Sequence, residues 1–178
     1  VFCAVHLRAP AGQRGGWLSA EKRRRQRAND PTMTLDASNI ARRLWVGGKP
    51  PLDRALPDFD VLVLCAQEIQ PELVSFQGTV IRCPLPDAAL TPAELARAVT
   101  ASRTVAERLV AQDRVLVTCA MGINRSALVT SLALGLCTRM SATTIISLIR
   151  ARRHPECLSN QHFCEVLHRF IGKGRSPR

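Results

Sequence analysis

Short runs of β-branched and leucine residues alternate along the chain with longer stretches whose apolar positions recur every three or four residues. This alternation predicts a layered α/β domain. The strand-like runs fall at 44–46, 61–65, 79–83 and 115–119. Thr91, Pro92 and Glu94 form a capping box with proline at the first helical position, opening a helix that runs to about Ala111. A second helix follows Arg125, and its apolar face over 126–137 predicts the central core helix. Ser141 and Ser159 read as N-caps of two more helices near 142–153 and 160–171, with Gly172 as a C-terminal stop. The pattern shows no internal repeat.

The chain has 178 residues and 46% hydrophobic content, which suits one domain with a core of ordinary size. A chain this long buries roughly 70% of its unfolded surface and needs no disulfide or metal to hold it together. Its longest apolar stretches fall short of the ~20 residues that span a bilayer, so no membrane insertion is expected. The opening VFCAVHLRAP carries no cleavage pattern, so a secretory signal is not expected and the chain reads as cytoplasmic; a monomer is expected. Seven cysteines at irregular spacing are then reduced thiols, each a small core residue or a reactive group.

Residues 1–33 stand apart: PAGQRGG, the basic run EKRRRQR, and then the breakers Asn29, Asp30 and Pro31 read as a basic disordered tail. The first residue is Val, and Met33 is a candidate start; the functional alternative is an arm for nucleic acid or an anionic surface. The domain is placed at 34–172, with a short tail at 173–178. The net charge of +11 favours phosphorylated substrates, nucleic acid or acidic membrane surface without choosing among them. Arginine supplies most of that charge and alanine is abundant, a pattern that GC-rich coding produces, so charge carries little weight here.

The chemistry concentrates in VLVTCAMGINRSALV. A buried strand runs into Cys119, then through Ala120, Met121, Gly122, Ile123, Asn124 and Arg125 to Ser126 and an apolar helix. Backbone N–H groups of such a loop, added to those of the helix start, make a concave anion site with the helix dipole aimed into it. Residues 120–125 are the candidate phosphate cradle. A thiol at the first position feels the same field, which favours thiolate. Arg125 has the planar fork that holds two phosphoryl oxygens, and Ser126 can donate to the thiolate. Cys, five residues, Arg is weak alone, with about 0.9 chance matches expected; adding Gly122 and Ser126 lowers this to about 0.005.

These residues resemble the signature loop of the cysteine-based protein phosphatases, specifically the dual-specificity group. Leu44, Trp45, Val46, Gly47 and Gly48 are similar to the strand and glycine turn that begin such domains, and Asn160 with Phe163 to their last helix. The resemblance covers roughly residues 40–171. It implies a three-layer fold, with a mostly parallel sheet of four or five strands flanked by helices and a phosphate loop between strand and helix. It also implies phosphomonoester hydrolysis on phosphorylated protein through a phosphocysteine, with no metal or cofactor. A general acid is implied some thirty residues before the nucleophile, and Asp87, in CPLPDAAL, is the candidate; Glu72 and Glu94 fit less well.

The family usually has His before the nucleophile, where this chain has Thr118. Either its hydroxyl substitutes or the thiolate is less populated and turnover slower. Ile123, Asn124 and Arg125 also resemble RNA 5′-triphosphatases of the same superfamily, leaving RNA and phosphoinositide substrates open. The alternatives from other classes are a catalytically weak module that binds phosphorylated partners, and a sulfurtransferase, which needs no acid at Asp87.

Other signals are weaker. Cys157, His162, Cys164 and His168 could suggest zinc, but their spacing is not a finger and the reading is a metal-free helix. Cys65 ends a strand that packing would bring near Cys119, which suggests a reversible disulfide. Arg150, Arg152 and Arg153 read as a solvated cluster at a helix end, where cations suit the dipole.

Overall fold

Strand β3 (Val61–Ala66) is apolar at every position and β5 (Val115–Thr118) at all but its last, and both are buried throughout. That is the pattern of parallel strands covered on both faces. The computed structural model describes residues 35–50, 56, 58–72 and 76–171; the tails at 1–33 and 173–178 and the expected stop at Gly172 lie outside the described residues. The sheet is completed by β1 (Ala37–Ala41), β2 (Leu44–Gly47) and β4 (Thr79–Leu85), in the order β1-β2-β5-β3-β4. Among the described residues only the β1–β2 pair is antiparallel. Four helices among those residues flank the sheet: α1 (Pro92–Val110), α2 (Arg125–Cys137), α3 (Ala142–Arg152) and α4 (Gln161–Ile171).

Alternation along the strands divides the core in two. Val61, Val63, Cys65, Val115 and Val117 join the helices in the larger cluster, while Leu62, Leu64 and Leu116 join Leu56, Trp45, Phe59 and Phe76 in the smaller one. Helix α2 is the hub of the larger cluster, packing on α1, α3, α4 and the central strands. Ten of its thirteen residues, including Arg125 and Ser126, are buried. Helix α1 begins with the expected capping box: Glu94 N–H donates to Thr91 Oγ1 at 3.3 Å and Thr91 N–H to Glu94 Oε2 at 2.7 Å. No helix among the described residues is long and apolar enough to cross a membrane.

The sequence reading departs from the structure at four places. β1 has no strand-like signature, because as an edge strand it buries only Ile40 and its turn through Arg42 and Arg43 lacks a glycine. β4 continues through Pro84, which a bulged edge strand tolerates because the missing N–H costs no ladder bond. β5 ends at Thr118, leaving Cys119 in the loop. The last helix is capped by Asn160, whose Oδ1 accepts from His162 N–H at 3.1 Å, while the Ser159 hydroxyl turns to Asn124.

Candidate active site

The β5–α2 connection curls back over its own first residue. Cys119 N–H donates to Gly47 O at 3.2 Å, and Lys49 N–H to Ala120 O at 3.0 Å, tying the loop to the glycine turn after β2. Gly122 sits at φ +71°, a conformation that favours glycine, and a Cβ there would lie 2.7 Å from the backbone carbon of Gly47. The turn aims Gly122 N–H at Cys119 Sγ at 3.2 Å. Ser126 Oγ lies 3.2 Å from the same sulfur.

Burial pushes the Cys119 thiol up, yet its pKa lies below the ordinary thiol value. The Ser126 hydroxyl and the backbone N–H groups of Ser126, Gly122 and Ile123 together outweigh desolvation. Thr118 has no part in this, since its hydroxyl donates to Val63 O at 2.9 Å. The expectation that the Thr118 hydroxyl substitutes at the thiol is therefore not met: it bonds the adjacent strand.

Arg125 is 6% exposed at the start of α2, and its Nη1 donates to Glu68 Oε2 at 2.5 Å and to Leu85 O at 3.4 Å. Its Nε is buried with no hydrogen-bond partner among the described residues. The hydrogen bond from Arg125 holds Glu68 below the usual carboxylate range. Sequence reading misses Glu68, although a charged residue just past the C-terminal end of a buried parallel strand occupies the place where open α/β sheets bind ligands.

Asp87, on the loop after β4, lines the same cavity of about 1120 Å³ as Cys119, Asn124 and Arg125. Its Oδ1 accepts from Asn160 Nδ2 at 3.1 Å and its Oδ2 from Asn124 Nδ2 at 3.2 Å. The structure thus brings Cys119, Arg125, Asp87 and Ser126 to one site. Glu94 remains in its cap.

Of the arginines at the end of α3, Arg150 and Arg152 are exposed as expected, whereas Arg153 turns inward. Arg153 donates from Nε to Gly122 O at 3.3 Å and from Nη2 to Met121 O at 3.0 Å, while its fork pairs with Asp36 at 2.7 Å on each oxygen. Arg150 donates to Cys157 O and Leu158 O, and Arg152 to Ile40 O. Cys65 is hydrogen-bonded to Cys83 on the neighbouring strand, and burial raises its pKa. The described cysteines are free thiols. Cys157 and Cys164 point their thiols at Gly122 O and Leu158 O, and among the described residues no group of three or more His, Cys, Asp or Glu is arranged to hold a metal ion.

Solved structures share this architecture. The active form of Tk-PTP superposes with a TM-score of 0.68 at 24% identity, over 78% of this chain and 97% of that one. Human DUSP28 gives 0.68 at 18% identity, over 77% and 93%. A human tyrosine phosphatase-like serine/threonine/tyrosine-interacting protein gives 0.64 at 16%, over 76% and 95%. No protein-family model and no curated protein matches the chain in sequence. The chain has the fold of the dual-specificity phosphatases, the family that its loop from Cys119 to Ser126 resembles.

Proposed function

We propose that the protein is a phosphomonoester hydrolase of dual-specificity type that needs no metal and acts on phosphorylated protein through a phosphocysteine. The observation that carries this is the convergence of Ser126 Oγ and Gly122 N–H on Cys119 Sγ beside the buried guanidinium of Arg125. A thiol whose pKa hydrogen bonds lower is the more readily a nucleophile, and a desolvated cation next to it binds the dianion it attacks.

The phosphoryl oxygens take the N–H groups of 120–125 and the Arg125 fork, where Nε gains the partner it lacks. Cys119 thiolate attacks phosphorus as the P–O bond to the leaving group breaks. Asp87, as the acid, gives its proton to that leaving oxygen, so an alcohol departs and a phosphocysteine remains. Water then attacks phosphorus while the Asp87 carboxylate takes one of its protons. The S–P bond breaks, inorganic phosphate is released, and the thiolate returns to the donors that stabilised it.

The test is hydrolysis of p-nitrophenyl phosphate in EDTA, beside Cys119→Ser and Asp87→Asn. Turnover abolished in Cys119→Ser and inhibited by vanadate is the expected result. Folded parent protein that binds phosphate without turnover would replace this reading with that of a phosphate-binding module. Transfer of sulfur from thiosulfate would make it a sulfurtransferase. Phosphopeptide, phosphoinositide and 5′-phosphorylated RNA, tried next, separate the substrates.

A further inference from the structure

We infer that Asn124 and Asn160 are positioning residues for Asp87, jointly fixing the carboxyl group that protonates the leaving oxygen. The inference rests on the phosphomonoesterase reading above and extends it by two side chains.

Asn124 immediately precedes α2, at the N-cap, where asparagine ordinarily turns its side-chain oxygen onto the first free N–H groups of the helix. It makes no such bond. Its Oδ1 instead accepts from Ser159 Oγ at 3.3 Å and Asn160 N–H at 3.2 Å, which orients Nδ2 toward Asp87 Oδ2 at 3.2 Å. A residue that gives up its local role for a contact across the cavity marks a functional demand on that contact. Asn160 serves both ends: its Oδ1 caps α4 through His162 N–H, and its Nδ2 reaches Asp87 Oδ1 at 3.1 Å.

Each carboxylate oxygen thus receives one amide N–H, from two elements that are themselves joined by Leu158 N–H donating to Ile123 O at 3.0 Å. Two bonds to two atoms fix both the place and the plane of the carboxyl group. Asp87 is exposed on a loop, so without them its side chain would spread over several rotamers. Proton transfer requires hydrogen-bond reach of the leaving oxygen, and a displacement of about 1 Å can cost about a hundredfold in rate.

Two esters that differ in their need for the acid provide the test. p-Nitrophenyl phosphate has a good leaving group, whereas phenyl phosphate depends on protonation. Asn160→Ser keeps an oxygen to cap α4 but withdraws the amide donor. Its kcat/KM on phenyl phosphate, which reports the step that releases the leaving group and not the later hydrolysis common to both esters, is expected to fall about tenfold more than on p-nitrophenyl phosphate, as a displaced acid requires. Asp87→Asn should show the same selectivity, and combining the two should add no further selective loss, because both act through one group. Equal losses on the two esters, or a selective loss that adds to that of Asp87→Asn, would overturn the inference. Should Asn160→Ser fail to fold, the same comparison on Asn124→Ala decides. Parent protein that turns over neither ester overturns the phosphomonoesterase reading and this inference with it. Parent turnover that Cys119→Ser abolishes, with equal losses in the asparagine variants, overturns the inference alone.

Discussion

The hydroxyl of Thr118 donates to the carbonyl of Val63 at 2.9 Å, so the residue before the candidate nucleophile spends its proton on the adjacent strand and none on the thiol. Thr118→Val is close in shape and removes that bond. It should lower unfolding stability by about 1 to 3 kcal/mol, the penalty for a buried polar group left without a partner. The pH dependence of Cys119 alkylation by iodoacetamide should not move. Urea unfolding reads the first effect and the alkylation rate the second; a rise in the alkylation midpoint would return Thr118 to a supporting role.

Ser126 acts differently. Burial alone would raise the Cys119 thiol, and the Ser126 hydroxyl is the leading influence that brings it below the ordinary value. Ser126→Ala should therefore shift the alkylation midpoint to higher pH and reduce kcat by about tenfold or more, as loss of a hydrogen bond to a charged group predicts. Stability follows with a definite sign. The folded-state pKa of Cys119 is depressed, so its ionisation contributes stability that is fully present above the unfolded value and lost as pH falls through the folded one. Ser126→Ala should shrink that alkaline gain, which melting curves across the window would detect.

Glu68 accepts from Arg125 Nη1, with its own side chain half exposed. If this is an anchor, Glu68→Ala lets the guanidinium drift and weakens inhibition by inorganic phosphate about tenfold, the scale of one charge-assisted hydrogen bond. Glu68→Gln keeps an acceptor and should lose much less. Tighter phosphate inhibition in both variants would instead make Glu68 a competitor for the arginine. Because the folded-state pKa of Glu68 is lowered, its pairing with Arg125 is complete above the usual carboxylate pKa and is lost in acid as pH falls through the depressed one.

What the sequence carries of this site follows from distance along the chain. Cys119, Gly122, Arg125 and Ser126 lie within eight residues, so strand, loop and helix signals frame them, and the strand–loop–helix that brings them together is legible from that segment alone. Asp87 is reached only through a family resemblance, since nothing local to CPLPDAAL distinguishes an acid from a turn residue. Glu68 and Arg153 are 57 and 28 residues from Arg125, and their partners are set by sheet order and helix packing. Local reading assigns Arg153 to solvent because the loop carbonyls facing it are distant in sequence. The fold is recovered for the same reason in its buried strands and capped helices, and missed at β1, where an edge position removes the hydrophobic pattern.

The Arg153 guanidinium ties down the loop after Cys119 through its carbonyls, with Met121 O and Gly122 O on its nitrogens, so two successive peptides of that loop are fixed by one side chain. Its side chain is only 10% exposed, whereas that of Asp36 is 64% exposed. Arg153→Lys cannot span both carbonyls and Asp36 from one ammonium, and should cost about 1.5 to 3 kcal/mol with weaker vanadate inhibition. Asp36→Asn removes a mostly solvated charge and should change both measurements little. Gly122→Ala should be the most damaging of the three, because its Cβ would meet Gly47 backbone that cannot yield and its φ would be strained. Thermal melting and vanadate titration of the three variants rank them. If Asp36→Asn proved as harmful as Arg153→Lys, the ion pair would be what orders the loop, and the carbonyl contacts would only accompany it.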